Sequence, residues 1–128
     1  MDPNEISRQI VIAAIEVHRT LGGPGLLESV YEEALGWELV GRNLVARRQV
    51  TLPVTYKGHE LGTPLRVDLL VADTVIVECK AVAQYNPIFE AQVLTYLRIM
   101  NLPLGIVINF GERVVKDGIH RVVNNLQE

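Results

Sequence analysis

A single cysteine, Cys79, leaves no room for an internal disulfide framework and fits a reducing interior. No apolar run approaches the roughly 20 residues of a membrane-spanning helix; stretches such as Ile10 to Ile15 stop far short. The opening Met1-Asp2-Pro3-Asn4-Glu5 has no basic region ahead of an apolar one, so no secretory leader is read there and a cytoplasmic location is expected. Internal repeats, low-complexity tracts and Pro-, Gly- or Ser-rich linkers are missing too. The 128 residues are therefore expected to form one domain, 1–128, large enough for one core and too small for two. A basic excess is also missing: 12 Lys and Arg stand against 15 Asp and Glu, for a net charge of −3 and a pI of about 5.6. A protein that grips duplex DNA mainly through phosphates is usually basic, so extensive electrostatic capture of nucleic acid is disfavoured. A local rim drawn from Arg42, Arg47, Arg48, Lys57, Arg66 and Arg98 stays compatible with that total, because acidic metal ligands lower it without describing the substrate-facing surface.

What is present is the composition of an ordinary globule, 48% hydrophobic and 21% charged. Ile6, Ile10, Ala13, Val17 and Leu21 recur at helical spacing and predict a helix over 4–20. Val11, Ile12 and Ile15 make it apolar nearly all round, so it is either deeply buried or has a partner face. Gly22-Gly23-Pro24-Gly25 ends it. A second helix is predicted over 26–42, with Leu27, Val30, Tyr31, Ala34, Leu35 and Leu39 on its inner stripe. From Leu44 the period becomes two. Val45 to Tyr56 reads as a strand whose Pro53 implies an edge or a bulge, Lys57 to Glu60 as a turn, and Leu65 to Val71 as the next strand. Ala72-Asp73-Thr74 connects to a strand over Val75 to Lys80. Asn86-Pro87 marks a helix start, Asn as cap and Pro at the first position, for a helix running to Met100. Leu104 to Phe110 follows as a strand, Gly111-Glu112 turns, and a short strand over Arg113 to Lys116 is expected to pair with one over Ile119 to Val123. The order, α-α-β-β-β-α-β with a β tail, predicts an α/β domain with a mixed sheet.

The chemistry concentrates between Arg66 and Lys80. Strand side chains alternate, so Glu78 and Lys80 share one face while Val77 and Cys79 share the other. A three-residue turn at Ala72 to Thr74 places Asp68 opposite Glu78; a two-residue turn would send the carboxylates to opposite faces. Facing carboxylates beside apolar Leu70 and Ile76 suffer repulsion and desolvation, both of which a divalent cation removes. Hard oxygen ligands suit Mg²⁺ or Mn²⁺. Lys80, one step on, would then orient or help deprotonate an attacking water. On spacing alone an alternative stands beside this one, in which Lys80 merely neutralises Asp68 and Glu78 as a structural ion cluster.

The rest of the chain carries a resemblance. Gly25-Leu26-Leu27-Glu28-Ser29-Val30-Tyr31 spells G-x-x-E-x-x-Y. Together with Ala14 to His18, Arg47-Arg48-Gln49-Val50, Tyr56-Lys57-Gly58, Val77 to Val82, Glu90-Ala91-Gln92 and Ile108 to Gly111, it closely resembles the GxxExxY protein family over nearly the whole length. That family is assigned to the PD-(D/E)XK nuclease superfamily, whose restriction-endonuclease-like core is α-β-β-β-α-β with a mixed sheet flanked by helices. The resemblance implies Asp68 and Glu78 as metal ligands, the Cys79 backbone carbonyl as a further one, Lys80 as the catalytic lysine and Glu28 as an additional acid. Gln92-Val93-Leu94-Thr95-Tyr96 matches the Q-x-x-x-Y pattern of the RecB-like exonuclease branch, so Gln92 and Tyr96 are implied to line the site. Val67 stands where the superfamily name has proline, and Cys79 where an aliphatic residue is expected.

Several of these residues have plainer readings. With Gly25 as N-cap, Glu28 would be the third helical residue and half of a capping box. Tyr31 either orients that carboxylate or is half-buried packing. Gln92 and Tyr96 also fit an amphipathic helix. His18, His59 and His120 are too scattered for a shared metal. Cys79 reads as a small core residue, and solitary Trp37 as packing rather than base stacking. The function implied is a Mg²⁺- or Mn²⁺-dependent nuclease acting on DNA, or RNA. The alternative is a catalytically silent module of the same fold that binds or regulates. A homodimer or a protein partner would help so small a cleft hold a duplex.

Overall fold

The structure, a computed structural model, describes residues 1–126. Helix α1 (Pro3–Thr20) is capped by Asp2, whose carboxylate accepts the Glu5 N–H at 2.9 Å, with Pro3 at the first position and His18 and Arg19 near its negative end. It is followed by α2 (Glu28–Gly41), β1 (Ala46–Leu52), β2 (Thr55–Tyr56), β3 (His59–Glu60), β4 (Leu65–Val71), β5 (Val75–Lys80), α3 (Ile88–Met100), β6 (Leu104–Asn109), a 3-10 turn (Val115–Gly118) and β7 (Ile119–Val123). Among the described residues no helix is long and apolar enough to cross a membrane.

The main sheet has the order β1-β4-β5-β6-β7, with β5 and β6 parallel and the other pairs antiparallel; β2 and β3 form a separate hairpin. Helices α1 and α2 cover one face, where Ile10, Ala13, Tyr31, Leu35 and Leu39 meet Leu69, Val71, Val77, Cys79 and Ile106. Helix α3 covers the other, where Val93 and Leu97 meet Leu70, Ile76 and Val107. Each fully buried aliphatic side chain contributes about 1.5–3 kcal/mol, so two such faces fix the sheet between its helices. The fold is the α/β class that the element order predicts, a mixed sheet flanked by helices, consistent with a PD-(D/E)XK nuclease-like core.

Several expectations are corrected. The strand read as Val45 to Tyr56 ends at Leu52, because Pro53 lacks the N–H a ladder needs; β1 is accordingly an edge strand. The turn after it is only Lys57-Gly58, since His59 and Glu60 pair with Tyr56 and Thr55. Residues 113–116 are not a strand. Val115–Gly118 wind as a 3-10 turn, with Asp117 N–H on the Val114 carbonyl, and a side chain at Gly118 would collide with the Asn109 carbonyl beneath. Strand β7 therefore pairs with β6 instead. Leu27 and Val30 lie outside the predicted inner stripe of α2, and Trp37 is 77% exposed rather than packed. Leu21 lies just past the end of α1 and is exposed, and so are Ile12 and Ile15 on it, so this helix is amphipathic with a residual apolar outer face. At α3 the capping position is Pro87 rather than Asn86 and the first helical residue is Ile88, although Asn86 Oδ1 accepts the Ile88 N–H at 3.0 Å from one residue further back.

One local feature prepares the site. Within β4, Leu65 and Val67 pack towards α3, whereas Leu69 and Val71 pack towards α1 and α2. Strict alternation would keep all four on one face, so the faces exchange at Asp68. Across the ladder, Arg48 pairs with Leu69 and Val50 with Val67, and Gln49, opposite Asp68, sits at φ 53°. A left-handed residue in one strand and a face exchange in its neighbour bend the sheet at this point, much as a bulge does.

Candidate metal centre

The Ala72–Thr74 connection is three residues long, with Ala72 and Asp73 both left-handed, and the β4–β5 ladder runs Val71↔Val75, Leu70↔Ile76, Leu69↔Val77. Continuing that register sets Asp68 opposite Glu78, and there the two strands part. In place of a ladder bond, the Cys79 N–H donates to Asp68 Oδ2 at 2.9 Å. On its other edge β5 is engaged with β6, where the Lys80 carbonyl accepts the Phe110 N–H at 2.7 Å. N–H and C=O of one extended residue point the same way, so the Cys79 carbonyl is directed to the Asp68 side. The Cys79 side chain is fully buried on the opposite face, among the α1–α2 core residues.

Glu78 is only 8% exposed, and its Oε1 is buried with no hydrogen-bond partner. Burial first, and the neighbouring Asp68 charge second, push its carboxyl up to about 9, against a smaller pull from Lys80. An orphaned buried acceptor costs about 1–3 kcal/mol and native interiors contain few of them. Lys80 does not relieve it. Its ammonium lies 4.5 Å from the centroid of the Phe89 ring, and among the described residues no ion pair joins it to Asp68 or Glu78. The structural ion cluster considered from spacing is thus not what the side chains form. Two carboxylates and a directed carbonyl fit a hard cation that keeps several waters, as Mg²⁺ does. No group of three or more His, Cys, Asp or Glu is assembled for a metal among the described residues, so the donor set is not that of a closed zinc site.

Glu28 is exposed and is the first residue of α2, with Leu27 rather than Gly25 in the capping position, so it has no capping-box role. The buried acid of that helix is Glu32, one turn on. Its Oε2 receives Arg48 Nε at 3.0 Å and Nη2 at 2.9 Å, and its Oε1 receives Gln49 Nε2 at 2.7 Å. Burial chiefly, with the Asp68 charge as a further contribution, raises the Glu32 carboxyl above its ordinary range. Sequence reading missed Glu32, Arg48 and Gln49 as neighbours of the site. Helical spacing held the only signal, since residues at i and i+4 share a face and Glu28 and Glu32 are equally placed candidates.

Tyr96 is partly buried on α3, and burial followed by the Glu78 and Asp68 charges raises its phenol, which places it within electrostatic reach of both carboxylates. Gln92 is exposed, and among the described residues no hydrogen bond ties it to them. Among the described residues Tyr31, the motif tyrosine, makes no hydrogen bond to Glu28. It is fully buried, stacks on Phe110 with centroids 4.6 Å apart, donates to the Gly23 carbonyl at 2.7 Å and accepts the Leu26 N–H at 3.1 Å. His18 is likewise structural, its Nε2 lying 3.2 Å and 2.9 Å from the Phe110 and Glu112 carbonyls. A second unanticipated residue is Asn109. Its amide donates to the Val82 carbonyl at 3.1 Å and accepts the Val82 and Gly111 N–H groups at 3.0 Å, clamping the segment that leaves Lys80.

The model of the PD-(D/E)XK nuclease superfamily matches residues 4–122, and the chain belongs to that superfamily. Comparison with curated proteins and comparison with solved structures each found no match. Membership indicates a nuclease with a nucleic acid as substrate, of a kind that generally works with divalent metals.

Proposed function

We propose that the protein is a metal-dependent nuclease that hydrolyses phosphodiester bonds of DNA, or of RNA, within one domain spanning the chain, and that it is a GxxExxY-type member of the superfamily. The observation that carries this reading is the unpartnered, buried Oε1 of Glu78 beside Asp68, next to a lysine committed to neither. Asp68, Glu78 and the Cys79 carbonyl would hold Mg²⁺ or Mn²⁺. When bound, such an ion polarises phosphoryl oxygens and lowers the pKa of a coordinated water. Lys80, its ammonium against the Phe89 ring, is positioned to orient the attacking water or offset charge on the scissile phosphate. Glu32, held by Arg48 and Gln49, would fix the α2 side of the site, and Glu28, one turn before it and with its charge felt at Cys79, would be the additional acid. Tyr96 borders the α3 side, where Gln92 is available to substrate.

Purified protein is to be incubated with Mg²⁺ or Mn²⁺ and single-stranded, duplex and branched DNA, beside Lys80→Ala and Asp68→Asn. Metal-dependent cutting that falls at least about a hundredfold in both variants is expected. Equal cutting by all three proteins, or none by the wild type across the panel, sinks the catalytic reading.

A second reading, a silent module that binds or regulates, is favoured by the outer face of α2, where Trp37 is 77% exposed and Val30 and Val40 accompany it. Metal-independent function with Lys80→Ala fully competent would select it.

A further inference from the structure

The β2–β3 hairpin serves neither core. Its strands are two residues long, and every residue from 55 to 64 is exposed; so short a ribbon is barely stable by itself. Its turn, Tyr56-Lys57-Gly58-His59, has both central residues at positive φ, 50° at Lys57 and 78° at Gly58, the pattern that suits the twist of a hairpin. Glycine adopts it freely. The position before it normally takes Asn, Asp or Gly, and a lysine is held there against its backbone preference. Strain of this kind points to a use for the side chain. The Lys57 ammonium lies 5.4 Å from the centroid of the Tyr56 ring, and Tyr56 is 59% exposed, with His59 directly across the ladder. Among the described residues Lys57 forms no ion pair.

The hairpin's place matters as much as its tip. It springs from the Leu52–Leu65 pair, and Leu65 lies three residues before Asp68, about 10 Å along β4. That is the end of the sheet where β4 and β5 have parted and where Lys80 closes β5, and the root of the arm, Leu52 to Thr55, lines a surface pocket with Ile99 and Met100, about one turn beyond Tyr96 on α3. An aromatic face with a cation beside it suits a base and its phosphate together. Only an unpaired base offers a free face, since a duplex hides its bases in their own stack. The acidic net charge, −3, likewise gives little purchase on a duplex.

We propose that Tyr56 and Lys57 form a docking arm for an unpaired nucleic-acid strand, Tyr56 stacking a base and Lys57 meeting a phosphate, a few nucleotides from the carboxylates. This rests on the nuclease reading of the site and names its substrate class. The test is fluorescence anisotropy with a labelled single-stranded DNA, the RNA of the same sequence and the matching DNA duplex, with Ca²⁺ in place of Mg²⁺. The full-length protein should bind at least one single strand more tightly than the duplex, and the two single-stranded arms tell which sugar is preferred. Tyr56→Ala should weaken that binding by roughly tenfold while Tyr56→Phe retains it. Lys57→Gly, which relieves the turn and so should not lower the melting temperature, should weaken binding and reduce its salt dependence by about one counterion. Equal affinity for duplex and single strands, wild-type binding by Tyr56→Ala, or no binding of any probe overturns the arm. Lys80-dependent cutting with an indifferent Tyr56→Ala overturns the arm alone; arm-dependent binding without any cutting overturns only the catalytic reading.

Discussion

Two buried polar residues stand near the ends of neighbouring parallel strands, Glu78 on β5 and Asn109 on β6, where Lys80 pairs with Asn109 in register. Asn109 is inaccessible to solvent, and both ends of its amide are engaged with Val82 and Gly111. Glu78 is almost as deeply buried and leaves one oxygen with nothing to bond. The same sheet can therefore satisfy a polar group at this depth, and at Glu78 it does not. A group left unsatisfied beside one so thoroughly satisfied is shaped for something other than the fold.

The largest expected break in that comparison is Asn109→Ala. It strips partners from the Val82 N–H and C=O and the Gly111 N–H, and should lower unfolding free energy by about 3 kcal/mol in urea titrations. A loss near zero would mean that the clamp is ornamental and that Glu78 is not exceptional.

Next comes pH. The Glu78 carboxyl in the folded protein is raised from its ordinary 4.5 to about 9. For a raised carboxyl, the stability held by the neutral form is complete below the unfolded value and is lost as pH climbs through the folded one. Metal-free protein should thus lose on the order of 2 kcal/mol between about pH 6 and about pH 9, and Glu78→Gln should lose little. Thermal melts in EDTA check it, and parallel curves for the two proteins would refute it. Added Mn²⁺ should reverse the wild-type trend, since a cation competes with the proton for the carboxylate.

Tyr31→Phe is a smaller effect on the satisfied side. It removes the hydroxyl that joins Gly23 to Leu26 while keeping the stack on Phe110, and should cost about 1.5 kcal/mol with cation affinity unchanged. A large drop in Mn²⁺ affinity would show that this tyrosine belongs to the site. Trp37→Ser, on an exposed face, should move stability by less than about 0.5 kcal/mol.

The same contrast explains what was legible in the sequence. The β4–β5 register was legible only as two alternatives set by turn length, and the left-handed Ala72 and Asp73 of the three-residue connection decide between them; the α3 start was legible to within a residue because Asn86-Pro87 is a local signal. Glu32 was not, because the start of α2 is tied to the loop that Tyr31 holds from the core, a tertiary contact no local pattern announces. Gln49 was hidden for a related reason. Its left-handed backbone is stabilised by Glu32 from another element, and glutamine carries no preference for that conformation. Val114 and Val115 read as strand by propensity, but the close approach of Gly118 to β6 decided otherwise. Trp37 was misplaced because periodicity gives the helix its apolar positions, not which of them find a neighbour.

The central claim is that Glu78 and Asp68 await a cation. Its most direct test is calorimetric titration of Mn²⁺ at neutral pH into wild type, Glu78→Gln and Asp68→Asn, repeated in buffers of different ionisation heat. Binding by the wild type with release of about one proton, and its loss in both variants, is predicted, because the carboxyl raised to about 9 must surrender its proton to the metal. No binding by the wild type, or undiminished binding by Glu78→Gln, would contradict it.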